Sequence, residues 1–486
     1  MTPTNNRKAS RRCQSIILDP NDPMGSARKL VSTDLTSENG LRIIHYHRGN
    51  FYWYANGFYR AAEEGDARHA VWEFLDGAWK RDNGHNVPFH PNLSAVSNVT
   101  GALEALCQVG ALELPAWLPN ARALGDDLPP HEFLVVANGL LHVPTGELYP
   151  HTPAFFGLNA AEMEFDPSAT APTWLEFLDQ VFGDDHESRD TIQEWFGYCL
   201  TPDTSLQKAM FLVGPPRGGK GIISRTLRSL IGPRNVTSPT LHSLQGEFGM
   251  QSLIGKQLAT INDVRLGRRT DPSTVAERLL AITGEDPVSV NRKNKSFWEG
   301  RLQTRFMLLS NELPHFTDSS AALIHRFIVI QFTRSWLGQE DKTLEGRIHK
   351  ELSGILNWAM DGYRRLHARG HFVQPKSAQD ATQAMEDLAS PIKAFVRDCC
   401  MVGPDEVVET WVLFEYWEIW CDAQGQAHKG TVQQFGKQLR AAFSSIRMLQ
   451  HPRRYVGIGL DRTRLKARAE SEHNERKGRT ASWKTF

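Results

Sequence analysis

Residues Gly214 to Gly221 read Gly-Pro-Pro-Arg-Gly-Gly-Lys-Gly, directly after the apolar run Met210, Phe211, Leu212 and Val213. So short an apolar run, closed by Gly and Pro, predicts a buried strand. The residues that follow put Ile222, Ile223, Leu227 and Leu230 on one face of a helix. Strand, glycine-rich turn and helix in this order point to a layered α/β fold, because a strand buried on both faces needs helices on each side. The same order constrains the chemistry. Glycines let successive backbone N–H groups converge on a polyphosphate with no Cβ in the way. The helix N-terminus adds partial positive charge, and Lys220 adds a full one. Gly214, Pro215, Pro216, Arg217, Gly218, Gly219, Lys220 and Gly221 are therefore the expected cradle of a nucleoside triphosphate.

The usual pattern ends in Lys followed by Ser or Thr, whose hydroxyl ligates Mg²⁺. Here Gly221 and Ile222 follow Lys220. The nearest hydroxyl, Ser224, stands about one helical turn further on. Taken alone, such a loop also reads as an ordinary Gly/Pro-rich turn.

With 486 residues the chain has room for about three domains. No apolar run of about 18 residues occurs, so no membrane span is expected, and the polar, basic start lacks the apolar stretch of a secretory signal. The six cysteines are scattered, without metal-ligand spacing, which fits a reducing cytoplasm. Lys and Arg total 55 and Asp and Glu total 55, so no global charge draws the chain to nucleic acid. The distribution is uneven, however. From His451 to Phe486 there are ten Lys or Arg against four Asp or Glu. Such a segment is either a handle for phosphate backbones or a solubilising tail.

Composition and periodicity divide the chain. Residues 1–38 are expected to be a disordered basic arm. Residues 39–166 read as an α+β domain, with strands around Leu41–Tyr59 turning at Gly49-Asn50 and Asn56-Gly57, a helix over His69–Lys80, and paired strands over 133–149. Residues 167–370, opening on a helical stretch from Thr173 to Leu200, form the nucleotide-binding core. Residues 371–390 read as a linker, 391–462 as a last domain, and 463–486 as a basic tail.

Four segments downstream of the loop follow in a chemically sensible order. Lys256 to Asp263 is an apolar strand ending in an acid, placed to hold Mg²⁺ beside the phosphates, although a strand ending in Asn-Asp is also a common turn start. Gly284 to Trp298 reads as a hairpin with Arg292, Lys293 and Lys295 at its centre and Phe297 and Trp298 beside them. Cations meet phosphates while rings stack on bases, which suits single-stranded nucleic acid; an exposed charged turn is the plainer reading. Arg305 to Pro314 is a second buried strand, whose Asn311 is placed to orient the attacking water. Arg326 stands just before a third, Phe327 to Phe332. In a ring, its guanidinium would reach a neighbour's γ-phosphate, whereas alone it would be an ion-pair partner.

Together these segments resemble the superfamily 3 helicases, AAA+ type hexameric ATPases of viruses, phages and plasmids. More closely, residues 40 to 460 resemble the helicase half of the phage/plasmid primase-helicase family, related to poxvirus replication ATPases. The phrases that carry this are Phe248-Gly249, Leu253-Ile254-Gly255-Lys256, Ile282-Thr283-Gly284-Glu285-Asp286-Pro287, Ser310-Asn311-Glu312-Leu313-Pro314, Ala389-Ser390-Pro391 and Leu200-Thr201-Pro202-Asp203-Thr204. The family usually has Thr where Ile222 stands, and often an aromatic where Asn294 stands. The resemblance implies an AAA+ type P-loop ATPase core, an α+β N-terminal domain and a C-terminal winged helix. It also implies ATP and Mg²⁺ as cofactors, Lys220, Asp263, Asn311 and Arg326 as catalytic residues, and a homo-hexamer translocating 3′-to-5′ on single-stranded DNA.

In the last domain two helices, from Trp411 and from Thr431, precede a strand beginning at Arg453-Arg454. Lys437, Arg440, Arg453 and Arg454 would meet duplex DNA, an origin for example; protein docking is the competing use. Other activities stay open. A primase would need a zinc-binding cysteine set or a paired Asp-x-Asp on a strand upstream, and neither occurs, so a separate primase or polymerase is the expected partner. A nucleotide kinase shares the loop but leaves the hairpin unexplained. A non-catalytic origin-binding protein fits the missing hydroxyl.

Overall fold

The computed structural model describes residues 16–63, 65–110, 112–119, 127–264, 271–314, 316, 322–424, 429–461 and 463. Residues 1–15 of the expected basic arm, and the expected tail beyond 463, lie outside the described residues.

A five-stranded parallel sheet holds the centre, in the order Val236–Thr237, Leu258–Asn262, Arg305–Ser310, Ala209–Val213, Phe327–Gln331. Its long strands are apolar runs because both faces are covered. Side chains alternate between the faces. Met210, Leu212, Met307, Leu309, Ile328 and Ile330 share one core with helices Pro172–Phe182, His186–Tyr198, Lys220–Ile231 and Leu352–Arg369. Phe211, Val213, Ile261, Phe306, Leu308 and Val329 share the other with helices Pro272–Thr283 and Gln379–Ala389. The chain is thus a mixed α/β protein built on a parallel sheet, as the apolar runs implied.

Helices His186–Tyr198 and Leu352–Arg369 cross closely. A Cβ on Gly197 would lie 2.4 Å from the Tyr363 backbone nitrogen, and one on Gly362 would lie 2.3 Å from the Gln193 carbonyl oxygen. Beside this crossing the buried Glu194 carboxylate accepts from Arg365 Nε at 2.7 Å and also pairs with Arg369.

The expected disordered arm is corrected in part. Pro23–Asp34 is a helix, because Asp22 caps it by accepting from Gly25 N at 2.7 Å and Pro23 opens its first turn. Leu30 and Val31 then bury its apolar face against Val71, Val96 and Leu103. The expected linker is also part helix. Gln379–Ala389 places Ala381, Met385 and Ala389 along one buried face against the sheet.

Antiparallel strands Ile44–His47, Asn50–Ala55 and Phe58–Ala61 form a small sheet; its first turn is Arg48-Gly49, one residue earlier than expected, because His47 pairs with Asn50. The expected helix over His69–Lys80 runs Asp66–Asp76 and gives way to a hairpin from Trp79. Strands Phe133–Val136, Gly139–His142 and Glu147–Tyr149 form another sheet. One of its faces, through Leu134, Val136, Leu141 and Val143, lies in the same core as Trp174 and Trp195, so that core runs across residue 166.

Residues 391–460 have a core of their own. Helices Pro391–Cys399, Thr410–Ala423 and Val432–Ala442 pack on a three-stranded sheet ordered Cys400–Glu409, Arg453–Leu460, Arg447–Gln450. No helix among the described residues is long and apolar enough to cross a membrane.

Candidate functional site

In an open parallel sheet the strands' carboxyl ends are where loops can converge on a ligand. Three adjacent strands end together here, since Val213 lies beside Ser310, and Leu309 beside Asn262. The residues that follow are Gly214, Asn311 and Asp263.

Gly214 has a φ of +147°, and a Cβ there would lie 2.2 Å from the Phe332 carbonyl oxygen, so no side chain fits. Gly219, at φ +97°, starts the helix Lys220–Ile231 and rests against Phe177 and Val181. Between them Pro215, Pro216, Arg217 and Gly218 make the turn. Lys220 is buried, and its Nζ donates to the carbonyls of Gly214 at 2.5 Å and Pro215 at 2.7 Å and to Asn311 Oδ1 at 3.0 Å. Burial pushes the ammonium's pKa down, while the Asp263 carboxylate acts in the opposite sense. One cation is thus held at the junction of three strand ends, facing one amide and one acid.

The usual hydroxyl position is filled differently. Ile222 packs on the core beneath the loop. Gly221 leaves space beside Arg225, whose Nη1 would be 2.8 Å from a Cβ at 221. Arg225 Nε in turn donates to Glu345 Oε1 at 2.7 Å. Sequence reasoning missed Arg225, and it missed the brace that follows the last sheet strand. There Phe332 N donates to the Val213 carbonyl at 2.7 Å and Ser335 Oγ to the Pro216 carbonyl at 2.7 Å, while Arg217 pairs with Glu340 at 3.3 Å. Only the spacing of a basic residue one turn after the loop lysine would have flagged Arg225; nothing flags the brace.

Arg326 is not brought to this loop. It precedes Phe327, which pairs with Ala209, whereas the loop follows Val213, which pairs with Gln331. Five residues of parallel strand, about 16 Å, separate the two ends. There Arg326 donates through Nη1 to Gln207 Oε1 and, at 3.4 Å, to the Gln207 carbonyl.

The basic hairpin exists as antiparallel strands Val288–Arg292 and Lys295–Gly300, with Arg292 opposite Lys295 and Asn294 at φ +58° in the turn. Lys293 and Lys295 are exposed at its tip, and Phe297 is 63% exposed beside them. Arg292 Nε is tied to the Ser296 carbonyl at 2.8 Å. Near the hairpin's base the Arg48 guanidinium lies 5.7 Å from the Trp298 ring centroid, a contact the sequence gave no sign of. In the C-terminal unit Lys437 is exposed on Val432–Ala442, Arg440 Nε donates to the Gly436 carbonyl at 3.0 Å, and Arg453 and Arg454 stand exposed at the start of the last strand.

Comparisons with known proteins add to this geometry. Residues 33–183 match the family described as "D5 N terminal like", and residues 212–326 match a "Family of unknown function (DUF5906)". The fold is similar to the C-terminal region of NrS-1 in two apo structures. One is 14% identical with a TM-score of 0.51, covering 90% of this chain and 100% of that one. The other is 13% identical with a TM-score of 0.51, covering 91% and 100%. An uncharacterized mitochondrial protein of Marchantia polymorpha, ymf21, is 28% identical over 91 residues, 19% of this chain. That match spans about half, 51%, of the relative's own length.

Proposed function

We propose that the chain is an ATP-dependent DNA helicase of the superfamily 3 type, working in phage or plasmid DNA replication. The observation that carries this reading is the convergence of Lys220, Asn311 and Asp263 at the ends of three neighbouring parallel strands. The sheet order supports an AAA+ type core, since the strand ending in Asn311 lies between the loop strand and the strand ending in Asp263. The helix–helix–hairpin unit at 391–460 supports a winged helix. The match to the "D5 N terminal like" family supports a replication role.

In this reading the loop N–H groups and Lys220 hold the β- and γ-phosphates. Asp263 is the protein donor to Mg²⁺, the remaining ligands being phosphate oxygens and water; its exposed place at a strand end and the apolar packing of Ile222 fit such a water-rich site. Mg²⁺ supplies charge neutralisation on the departing phosphates. Asn311 orients the attacking water. Arg326, placed away from its own loop, serves the neighbouring subunit of a hexamer, and Lys293 and Lys295 grip the translocated strand. Lys437, Arg440, Arg453 and Arg454 contact duplex phosphates.

Unwinding of a forked duplex with defined tails tests the reading. ATP turnover should rise with single-stranded DNA, and Lys220→Ala should lower it by on the order of 100-fold or more, since a preorganised charge on the transferring phosphoryl group is lost. Turnover indifferent to DNA, with no strand separation, would point to a kinase or a scaffold instead.

A further inference from the structure

A cavity of about 640 Å³ lies between the N-terminal sheet, the base of the basic hairpin and the start of the strand Leu258–Asn262. That volume suits a nucleotide-sized ligand. It is separate from the phosphate loop, none of whose residues line it. Its walls include Tyr52 and Arg48 from the N-terminal sheet, Trp298 and Arg301 from the hairpin base, and Phe133 and Phe155 from the strands Phe133–Val136 and Phe155–Phe156. Arg48 already lies over the Trp298 ring. Burial pushes the Tyr52 phenol up, and the charges of Arg48 and Arg292 pull it back, so guanidiniums from two elements stand near one ring. Arg48 and Arg301 are exposed, which puts the cations at the rim.

The floor is different. Gln257 lines the cavity, is 4% exposed, and its Oε1 has no hydrogen-bond partner among the described residues. Its backbone is fixed on both sides, N donating to the Asn235 carbonyl and the carbonyl accepting from Arg305 N, each at 2.9 Å. A buried acceptor held this rigidly and left unpaired is costly unless a donor arrives. Two carboxylates line the same region, Glu285 accepting from the Thr204 hydroxyl at 2.5 Å and Asp203 from Ser205 N at 2.9 Å. Glu113 lines it too and is exposed. Lys256 lines the cavity too, but its Nζ donates to the Arg234 carbonyl; the acceptors that remain fit an amino group better than a phosphate. Cations at the rim fit phosphate, and the rings between them fit a base plane.

We infer that this cavity is a second nucleic-acid site, taking one amino-bearing base of a single strand with its flanking phosphates on Arg48 and Arg301. The inference deepens the helicase reading and rests on it: a strand gripped at the hairpin tip would insert one base at the hairpin's foot. Cytosine presents an N4 amino donor where thymine presents an O4 acceptor, so the site should distinguish the two.

Anisotropy of labelled oligo(dC) and oligo(dT) of equal length, with the full chain and no ATP, tests this. Oligo(dC) should bind about fivefold more tightly, the worth of one added hydrogen bond. Gln257→Leu should erase the preference while leaving oligo(dT) affinity intact, and Gln257→Glu, which keeps an acceptor, should retain it. Near-ultraviolet circular dichroism checks that both variants pack as the parent does. Arg48→Gln should weaken both oligonucleotides severalfold. A preference that survives in Gln257→Leu, or equal binding of both strands unmoved by Arg48→Gln, overturns the inference. In the latter case, if Lys293→Ala still weakens both strands, the helicase reading stands and only the cavity falls; if neither oligonucleotide binds, both fall. Free dCMP separates the two sources of the same chemistry. On the Lys220→Ala chain it should bind at least tenfold more weakly than oligo(dC), whereas equal affinity would make a free nucleotide the occupant and overturn the strand.

Discussion

At the scale of single residues the chain places several polar groups where water cannot serve them. Lys220 is kept satisfied by three oxygens. His45 is not: it is buried on the strand Ile44–His47 among Tyr59 and Phe156, and neither ring nitrogen has a hydrogen-bond partner among the described residues. Burial, with the Arg42 charge adding, holds its pKa down to about 4 from 6.5; the Arg42 carbonyl acts weakly the other way without reaching hydrogen-bond geometry. The sign follows from linkage. Between 6.5 and about 4 the unfolded chain binds a proton that the folded one refuses, so stability is complete above 6.5 and falls as the pH drops through that window. The total is on the order of 3 kcal/mol. Amide hydrogen exchange in strands 44–61 should quicken as the pH is lowered from 7 to 4.5, after correction for intrinsic rates. His45→Phe should flatten that dependence. An unchanged profile in the variant would assign the acid sensitivity to another group.

Among the elements, the legible ones were those whose job shows in a short local pattern. Strand, glycine loop and helix at 209–231 could be read because burial on both faces demands a continuous apolar run. The hairpin at 288–300 and the helices from 410 and 432 were legible by the same local rules. Helix Pro23–Asp34 was not, because its apolar face is only Ala27, Leu30 and Val31 and its stability comes from packing on residues some 40 to 70 positions away. Nor was the pairing of helices His186–Tyr198 and Leu352–Arg369, which are distant in sequence and meet through glycines. Nothing about Gly197 in isolation marks it, since a helix interior glycine is merely unfavourable by about 1 kcal/mol. Its reason is the Tyr363 and Ala359 backbone, both within 2.5 Å of where a Cβ would be. Gly197→Ala should therefore destabilise despite its better helix propensity, by about 1–3 kcal/mol, as overpacked cores do. Gly101→Ala, on the helix Leu93–Cys107 with open space around it, should be neutral or stabilising. Denaturant midpoints of the two variants decide between crowding and propensity.

For the whole molecule the informative feature is a distance that one chain cannot close. Lys220, Asn311 and Asp263 sit at one end of the sheet and Arg326 at the other, about five residues of strand apart. The guanidinium is held there by Gln207; burial, with the Arg326 charge adding, lowers the pKa of Lys208, whose Nζ donates to the His325 carbonyl at 2.6 Å. A structural ion pair would need a carboxylate, and among the described residues the contacts of Arg326 are to an amide and a carbonyl. That leaves its charge available to a second copy of the chain, which a ring would present. If the charge completes a neighbour's site, Arg326→Ala mixed in rising proportion with the parent chain should depress ATP turnover in proportion to its share, one loop lost per variant subunit. Each variant subunit then disables a loop it does not own. Lys220→Ala, which disables only its own loop, should restore turnover when mixed with Arg326→Ala, because a loop intact in one subunit can meet an arginine intact in the next. No recovery in that second mixture would return Arg326 to a role within its own subunit.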